Sequence, residues 1–249
     1  MPFILRNFTE QEIIFWHLLI GISALVGLFD MGFGVTFTRN IAYALGGAKN
    51  LNELISDNRN NQRKNLNLIS DILPAMYKVY NYLSVIGFLC ILIFGTMAVY
   101  TPIHKLQAND SIWVVWIFFA ITILFQIRGF LYVSYIQGFN YIALLRRWEV
   151  FTFFCLISSN IIVLLVSPGI IELIISNQIW LLFGVLRNFF LFRYIKSKEM
   201  ENIALGEFKI EVFYSLWDKV WRSGLGVIVA RFLVEFSGFF VVHIAVPSV

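Results

Sequence analysis

Four arginines lie inside long apolar stretches of this sequence, where a positive charge is costly. They are Arg39, Arg128, Arg187 and Arg231. A lone cation at the centre of a bilayer costs at least about 2.5 to 3.5 kcal/mol, so each arginine requires an explanation. A planar guanidinium with several N–H donors is well suited to bind phosphate groups. One interpretation is that several of these side chains face a single aqueous cavity and hold an anionic ligand. The alternative is that they extend to lipid head groups or have a structural role.

An acidic residue and two glycines precede Arg39 within the same stretch. Asp30 lies nine residues before Arg39. This spacing corresponds to about 900° of rotation in a continuous α-helix and places the two side chains on opposite faces, unless Gly32 and Gly34 break the helix. No acidic or histidine partner for Asp30 can be assigned from the sequence. We therefore interpret Asp30, Gly32 and Gly34 as packing or gating residues.

Arg231 has a possible counter-charge nearby. Glu235 follows it by four residues, and side chains at this spacing are neighbours on a helix. The favoured interpretation is that the pair lines a polar cavity, and mutual neutralisation is the alternative. Glu235 is therefore placed in the same gating or packing group as Asp30.

The elements that must position these residues are membrane-spanning helices. Hydrophobic residues make up 59% of the 249 positions, charged residues 14%, and the mean hydropathy is +0.78, whereas soluble domains have roughly 25% charged residues. Crossing a bilayer takes about 20 apolar residues. Six such stretches are predicted, near 13–46, 79–101, 112–136, 148–168, 170–195 and 222–246. The predicted fold class is an all-α polytopic membrane helical bundle.

The basic residues between the spans predict the orientation. Thirteen Lys and Arg residues fall in the connections 47–78, 137–149 and 193–222, whereas only Arg6 and Lys105 fall on the opposite side. Because basic loops remain in the cytoplasm, these three connections are predicted to be cytoplasmic and the N-terminus to face outward. The net charge of +4 is thus a topology signal and gives no support to nucleic-acid binding.

The same pattern predicts three regions. Residues 1–195 form an N-terminal bundle of five spans, 196–221 a cytoplasmic amphipathic connector, and 222–249 the first span of a truncated second bundle. The connector contains apolar residues at helical spacing, which predict a helix over 203–221 at the membrane surface: Phe208, Val212, Leu216 and Val220. Within 47–78, Ser70-Asp71 predicts a helix start.

Two motifs resemble those of a known family. The run FDMGFGVTFTRNIA at 29–42 resembles the second-helix signature of polysaccharide-exporting flippases, in which a Leu/Phe-Asp-x-Gly-Phe/Leu pattern is followed about nine residues after the Asp by Arg. The run LWDKVWRSG at 216–224 resembles the stretch that leads into the seventh helix of that family. These flippases belong to the multidrug, oligosaccharidyl-lipid and polysaccharide exporter superfamily.

The resemblance implies a fold and a function. The family has about twelve or more helices in two pseudo-symmetric bundles around a central cavity. It moves undecaprenyl-pyrophosphate-linked oligosaccharides, such as O-antigen units, from the cytoplasmic to the outer leaflet of the bacterial inner membrane. This chain would begin after the first helix and end during or after the seventh, so it is expected to be a fragment that does not transport alone.

The resemblance also implies the partners. The four arginines would grip the pyrophosphate, and the partners would be membrane lipid, the lipid-linked glycan and other polysaccharide-assembly membrane proteins. We expect no catalytic residue, metal or cofactor, because the three histidines are scattered and no phosphate-binding loop occurs. The rival is a membrane-embedded glycan-assembly enzyme, which would carry a large outward loop, whereas the longest outward connection here has about ten residues. A structural membrane protein is a third possibility.

Overall fold

The computed structural model describes residues 8–48, 64–106, 111–167 and 169–201, and, toward the C-terminus, 203–204, 206–217, 220–221, 224–226 and 229–230. Within these residues the protein is helical and contains no strand, in agreement with the predicted all-α class. The α-helices are α1 Glu10–Leu25, α2 Phe33–Leu45, α3 Leu66–Cys90, α4 Thr96–Lys105, α5 Ser111–Gly138, α6 Ile142–Val166 and α7 Ile170–Glu199. A 3-10 helix, Val26–Asp30, follows α1, and a π-helical turn, Ile91–Gly95, joins α3 to α4.

Five segments of the described chain are long and apolar enough to cross a membrane. They are Glu10–Asp30, Leu66–His104, Ser111–Gly138, Ile142–Val166 and Ile170–Glu199. Each one overlaps one of the first five predicted spans. The sixth predicted span, 222–246, and the region 222–249 lie almost entirely outside the described residues.

The first predicted span, 13–46, is two helices rather than one. The chain enters α1 through a capping box, in which the Thr9 backbone N–H donates to the Glu12 carboxylate at 2.8 Å. The helical path ends at Asp30 because Met31 and Gly32 adopt positive φ angles of 47° and 76°. Such left-handed residues cannot continue a right-handed helix. A new helix, α2, starts immediately after them.

The second span is longer than the predicted 79–101. Its 39 residues, Leu66–His104, extend for about 58 Å, roughly twice the hydrocarbon thickness. The helix starts at Leu66 and not at Ser70-Asp71, because the Asn65 side chain caps it by accepting from the Leu68 N–H at 3.1 Å. Residues 66–78 of the polar connection 47–78 are therefore part of α3.

Buried apolar residues form two clusters at different levels of the bundle. The first core cluster joins α2, the N-terminal half of α3 and the C-terminal halves of α5 and α7. The second core cluster joins α1, the region of α4 and the π-helical turn, and the N-terminal halves of α5 and α7. Leu83 and Phe130 pack against both clusters. Helix α5 contributes to both and lies at the centre of the bundle.

The three basic segments meet at one end of the bundle. Lys64 forms an ion pair with Glu199 at 3.1 Å. Tyr141 donates a hydrogen bond to the same carboxylate at 2.8 Å, and Lys198 lies over the Tyr141 ring. These contacts place residues from 47–78, 137–149 and 193–222 side by side, as the charge pattern requires if all three share one face of the membrane. We call this the basic end.

One face of the connector packs on the bundle, and its location at the membrane surface stays a prediction. Residues 210–217 and 220–221 are helical, whereas 203–204 and 206–209 are not, so the helix begins later than the predicted 203. The side chains of Leu216 and Val220 are only 1% and 2% exposed and belong to the first core cluster. Lys209 forms an ion pair with Asp71 of α3 at 2.9 Å. The helical spacing of the apolar residues thus corresponds to contacts with protein.

Helix α6 has the most lipid-like surroundings. Its buried residues are Leu145 and Thr152, whereas Phe153, Phe154 and Val166 are 61%, 64% and 79% exposed. A continuous exposed apolar face of this kind is typical of a helix in contact with lipid tails and would be unfavourable in water. This exposed apolar face and the five long apolar helices are those of a multi-pass membrane protein.

Candidate functional site

The break after Asp30 creates the first part of the candidate site. Because the positive φ angles of Met31 and Gly32 interrupt the helical path, the Asp30 side chain reaches the first turn of α2. Its two carboxyl oxygens each lie 3.1 Å from the Gly34 backbone N–H. The N–H groups of the first turn of a helix have no partner within the helix, and an acidic side chain at this position stabilises it. Asp30 therefore caps α2 across the break.

Residues from two distant helices join the network around Asp30. The hydroxyl of Tyr80, in α3, donates a hydrogen bond to Asp30 Oδ1 at 2.7 Å. The same hydroxyl lies 3.4 Å from Ser134 Oγ of α5. Tyr80 is fully buried, with an exposed fraction of 0%, so its hydroxyl depends on protein partners. The Asp30 carboxyl group thus joins α2, α3 and α5.

Gly34 is required by this arrangement. A Cβ atom at position 34 would lie 2.9 Å from Asp30 Oδ2 and 3.0 Å from Ser134 Oγ. Both distances are shorter than ordinary van der Waals contact, so any larger residue would displace the carboxyl group or the serine. Gly32 has a different function, because its φ angle of 76° favours glycine. The packing role predicted for these three residues thus has a structural basis: Asp30 caps α2, Gly34 leaves space for the carboxyl group, and Gly32 allows the helix break.

A groove of about 520 Å³ runs beside this network between α2 and α5. Its lining includes Asp30, Gly34, Thr38 and Ala42 along one helix face and Phe130, Val133, Ser134 and Gln137 along the other, with Gly27 and Val35. Small and polar side chains thus form a strip through an otherwise apolar bundle. Polar residues at membrane depth commonly face a cavity and mark substrate pathways.

Arg39 lies in the same groove as Asp30. A continuous helix would have placed these side chains on opposite faces, but the break at Met31 and Gly32 changes the direction of the chain between them. Arg39 is exposed, and within the described part of the chain no hydrogen bond or ion pair engages its guanidinium. The groove therefore presents an unpaired guanidinium with a set of hydroxyl and amide groups.

Arg128 lies on a different side of α5. It is nine residues before Gln137, which corresponds to about 900° on a regular helix and hence to the opposite face from the groove. It is not among the residues that line the groove. The structure therefore does not bring Arg128 together with Arg39.

Arg187 ties α7 to α6. Its Nη1 donates to the Trp148 carbonyl oxygen at 2.8 Å and to Thr152 Oγ1, and its Nε and Nη2 donate to Asn188 Oδ1 at 3.1 and 2.9 Å. All three nitrogens are thus engaged by protein acceptors. Of the two roles considered for Arg187, these contacts favour the structural one. Arg231 and Glu235 lie outside the described residues.

We expect Arg187→Met to destabilise the pairing of α6 and α7. The substitution keeps the apolar stem and removes the donors to Trp148 and Thr152, which should lower the free energy of unfolding by about 1 to 2 kcal/mol. Unfolding of the purified chain in mixed detergent micelles measures the change. Arg147→Gln, at an exposed arginine in the first turns of α6, is the control and should change the value by less than about 0.5 kcal/mol. Equal effects of the two substitutions would contradict the structural role.

The arrangement can bind an anionic group and adjacent polar groups. Arg39 supplies a planar cation for a phosphate oxygen pair. The hydroxyl groups of Thr38 and Ser134 donate to the Ser134 and Phe130 carbonyl oxygens at 3.1 and 2.8 Å, so they can act toward a ligand as acceptors, and Gln137 supplies an amide group. Sequence reasoning missed Tyr80 and Ser134. Both are polar side chains within segments that are apolar enough to span a membrane, but other polar residues lie beside them in the sequence, so no local signal identified them.

No family model, curated protein or solved structure matches the chain.

Proposed function

We propose that this protein participates in moving a lipid-linked oligosaccharide, carried on undecaprenyl pyrophosphate, across the bacterial inner membrane for surface polysaccharide or O-antigen synthesis. The observation that carries the proposal is the exposed Arg39 guanidinium, which has no partner among the described residues, in a largely apolar groove between α2 and α5 that also contains hydroxyl, carboxyl and amide groups. A pyrophosphate-linked lipid has an apolar tail, a doubly charged linker and a hydroxylated head. The groove, within an apolar bundle, has complementary groups for each of these parts.

The position of the groove supports the assignment of roles. Arg39 binds the pyrophosphate, while Thr38, Ser134 and Gln137 contact the first sugar. Asp30 and Gly34 fix the start of α2. They thereby fix the position of Arg39, which lies farther along the same helix. Because the chain changes direction at Met31 and Gly32, a movement at this point alters the width of the groove. Asp30 and the two glycines are thus gating as well as packing residues.

The same proposal includes the topology and the partners. The basic end faces the cytoplasm and the N-terminus faces outward, so the groove receives its ligand from the leaflet in which lipid-linked glycans are made. Transport proceeds by alternating access between two helical bundles. Membrane lipid surrounds the protein, and other polysaccharide-assembly membrane proteins supply or receive the glycan.

Binding of the lipid carrier tests the proposal directly. We expect the purified 249-residue chain in detergent micelles to bind undecaprenyl pyrophosphate saturably, as followed by native mass spectrometry. Arg39→Gln should weaken binding about tenfold or more, because a charge-assisted contact with phosphate contributes about 1.5 to 3 kcal/mol. Undecaprenyl monophosphate, which offers fewer oxygens, should bind more weakly than the pyrophosphate.

The control separates the groove from general surface charge. Arg147→Gln removes the same charge from an exposed position at the start of α6 and should leave binding within about twofold, since exposed single charges contribute little. The proposal is wrong if both substitutions have the same effect, or if the wild-type chain shows no saturable binding of undecaprenyl pyrophosphate.

A further inference from the structure

A second cavity, of about 490 Å³, lies beside the last turns of α7 and shares no residue with the groove. We call it the α7 cavity. It is lined by Tyr77, Phe189, Phe192, Arg193, Lys196, Ser197, Met200, Glu201 and Ile203. Tyr132 of α5 packs against Phe189 and Phe192 and thus closes the inner wall. The cavity is at the basic end, because α7 ends at Glu199, where Lys64 and Tyr141 are bound.

The charge in the α7 cavity is unbalanced. Arg193 and Lys196 lie three residues apart, so their side chains share one helix face. Neither forms an ion pair with a carboxylate among the described residues, although Glu201 also lines the cavity. Like charges one turn apart destabilise a helix, and an anion placed between them removes that cost.

The remaining lining indicates what kind of anion fits. Phe189, Phe192 and Ile203 form an apolar wall next to the cations, and Arg193 lies over the Phe189 ring at 5.7 Å. Ser197 adds a hydroxyl that can donate to a phosphate oxygen. A ligand with an anionic phosphate at one end and an apolar body at the other uses both parts of the lining, whereas a free phosphate ion uses only the polar part.

We propose that the α7 cavity binds the head-group phosphate of an anionic membrane phospholipid, with Arg193, Lys196 and Ser197 as its contacts. The acyl chains of the lipid continue along the aromatic wall. Basic pockets between spanning helices near the cytoplasmic surface are suited to this class of ligand. Because the site uses none of the residues of the groove, it is independent of the function proposed above.

Lipid titration of the purified full chain tests the proposal. Native mass spectrometry in a neutral detergent compares phosphatidylglycerol with phosphatidylcholine of the same acyl chains, and a parallel arm adds inorganic phosphate. We expect phosphatidylglycerol to bind about tenfold more tightly than phosphatidylcholine, which corresponds to one charge-assisted contact. The double substitution R193Q/K196Q should remove this preference.

Two further variants make the result specific. R193K/K196R exchanges the two cations and keeps the charge, so it should retain the preference for phosphatidylglycerol if the chain is folded. R146Q/R147Q removes two charges from the same end of the bundle, at exposed positions outside the cavity, and should also retain it. The proposal is overturned if both glutamine pairs reduce the preference equally, if the two lipids bind alike, or if inorganic phosphate competes with phosphatidylglycerol at equal concentration. Binding of undecaprenyl pyrophosphate to the groove is measured separately with Arg39→Gln.

Discussion

Asp30→Ala is expected to lower the free energy of unfolding by about 2 to 3 kcal/mol, since a buried donor that loses its acceptor costs about 1 to 3 kcal/mol. The substitution removes the acceptor of the Tyr80 hydroxyl, 2.7 Å away, and of the Gly34 N–H. Tyr80 is fully buried, so water cannot easily replace the carboxyl group. Loss of the carboxyl group should also leave the first turn of α2 without its cap. The first turn, and with it the side of the groove that includes Arg39, should then become more mobile.

A double-mutant cycle with Tyr80→Phe isolates the contact between the two side chains. The single substitutions and the double substitution are compared by unfolding the purified chain in mixed micelles. We expect a coupling free energy of about 1 to 2 kcal/mol, within the range for hydrogen bonds between membrane helices. Strictly additive effects would show that the hydroxyl and the carboxyl group do not interact. Asp30→Asn, which keeps an acceptor oxygen, should lose less than Asp30→Ala.

Gly138→Val is expected to destabilise the protein by about 3 kcal/mol, at the upper end of the usual cost of overpacking. Gly138 ends α5 where it crosses α2, and a Cβ atom there would lie 2.7 Å from Ile41 Cβ and 2.8 Å from its Cγ2. Ile41 is fully buried and its Cβ is fixed to the backbone, so relief of the contact requires movement of α2. Gly138→Ala should have a smaller effect of the same sign.

Gly184 is the matched control for this prediction. It lies within α7, and a Cβ atom there would meet nothing within 4 Å. Gly184→Ala should therefore be neutral or stabilise the chain by up to about 1 kcal/mol, because alanine favours a helix more than glycine does. Unfolding in mixed micelles measures both. A destabilisation by Gly184→Ala as large as that by Gly138→Ala would show that the contact with Ile41 does not determine the result.

The spans were predictable because their signal is local. Apolar length and the distribution of Lys and Arg indicated the first five spans and the common location of the three basic segments, which the Lys64–Glu199 and Tyr141–Glu199 contacts bring together. The boundary errors have specific causes. Asn65 acts as a cap five residues before the predicted helix start at Ser70, and Met31 adopts a positive φ angle that its residue type does not indicate.

The candidate site was predicted only in part because its contacts are distant in the sequence. The family-like run around Asp30 and Arg39 identified the α2 side of the groove. Tyr80 and Ser134 lie 50 and 104 residues beyond Asp30, and nothing in their local sequence connects them to it. Arg187 was equally ambiguous, since its acceptors belong to α6 and one of them is a backbone carbonyl. The charge of an arginine and the free-energy cost of burying it therefore could not show whether the side chain binds a ligand or forms hydrogen bonds to a neighbouring helix.

The division of the core into two clusters has a consequence for local opening. Segments with their own buried core exchange amide hydrogens as separate cooperative units, and here the two units adjoin where Leu83 and Phe130 pack against both clusters. The groove crosses this boundary, because its lining extends from Gly27, beside α1, to Ala42 of α2. A molecule held there touches both units, so it makes the opening of one depend on the opening of the other. Ligand binding in the groove would then slow amide hydrogen exchange in both halves of the bundle, including at amides far from the ligand.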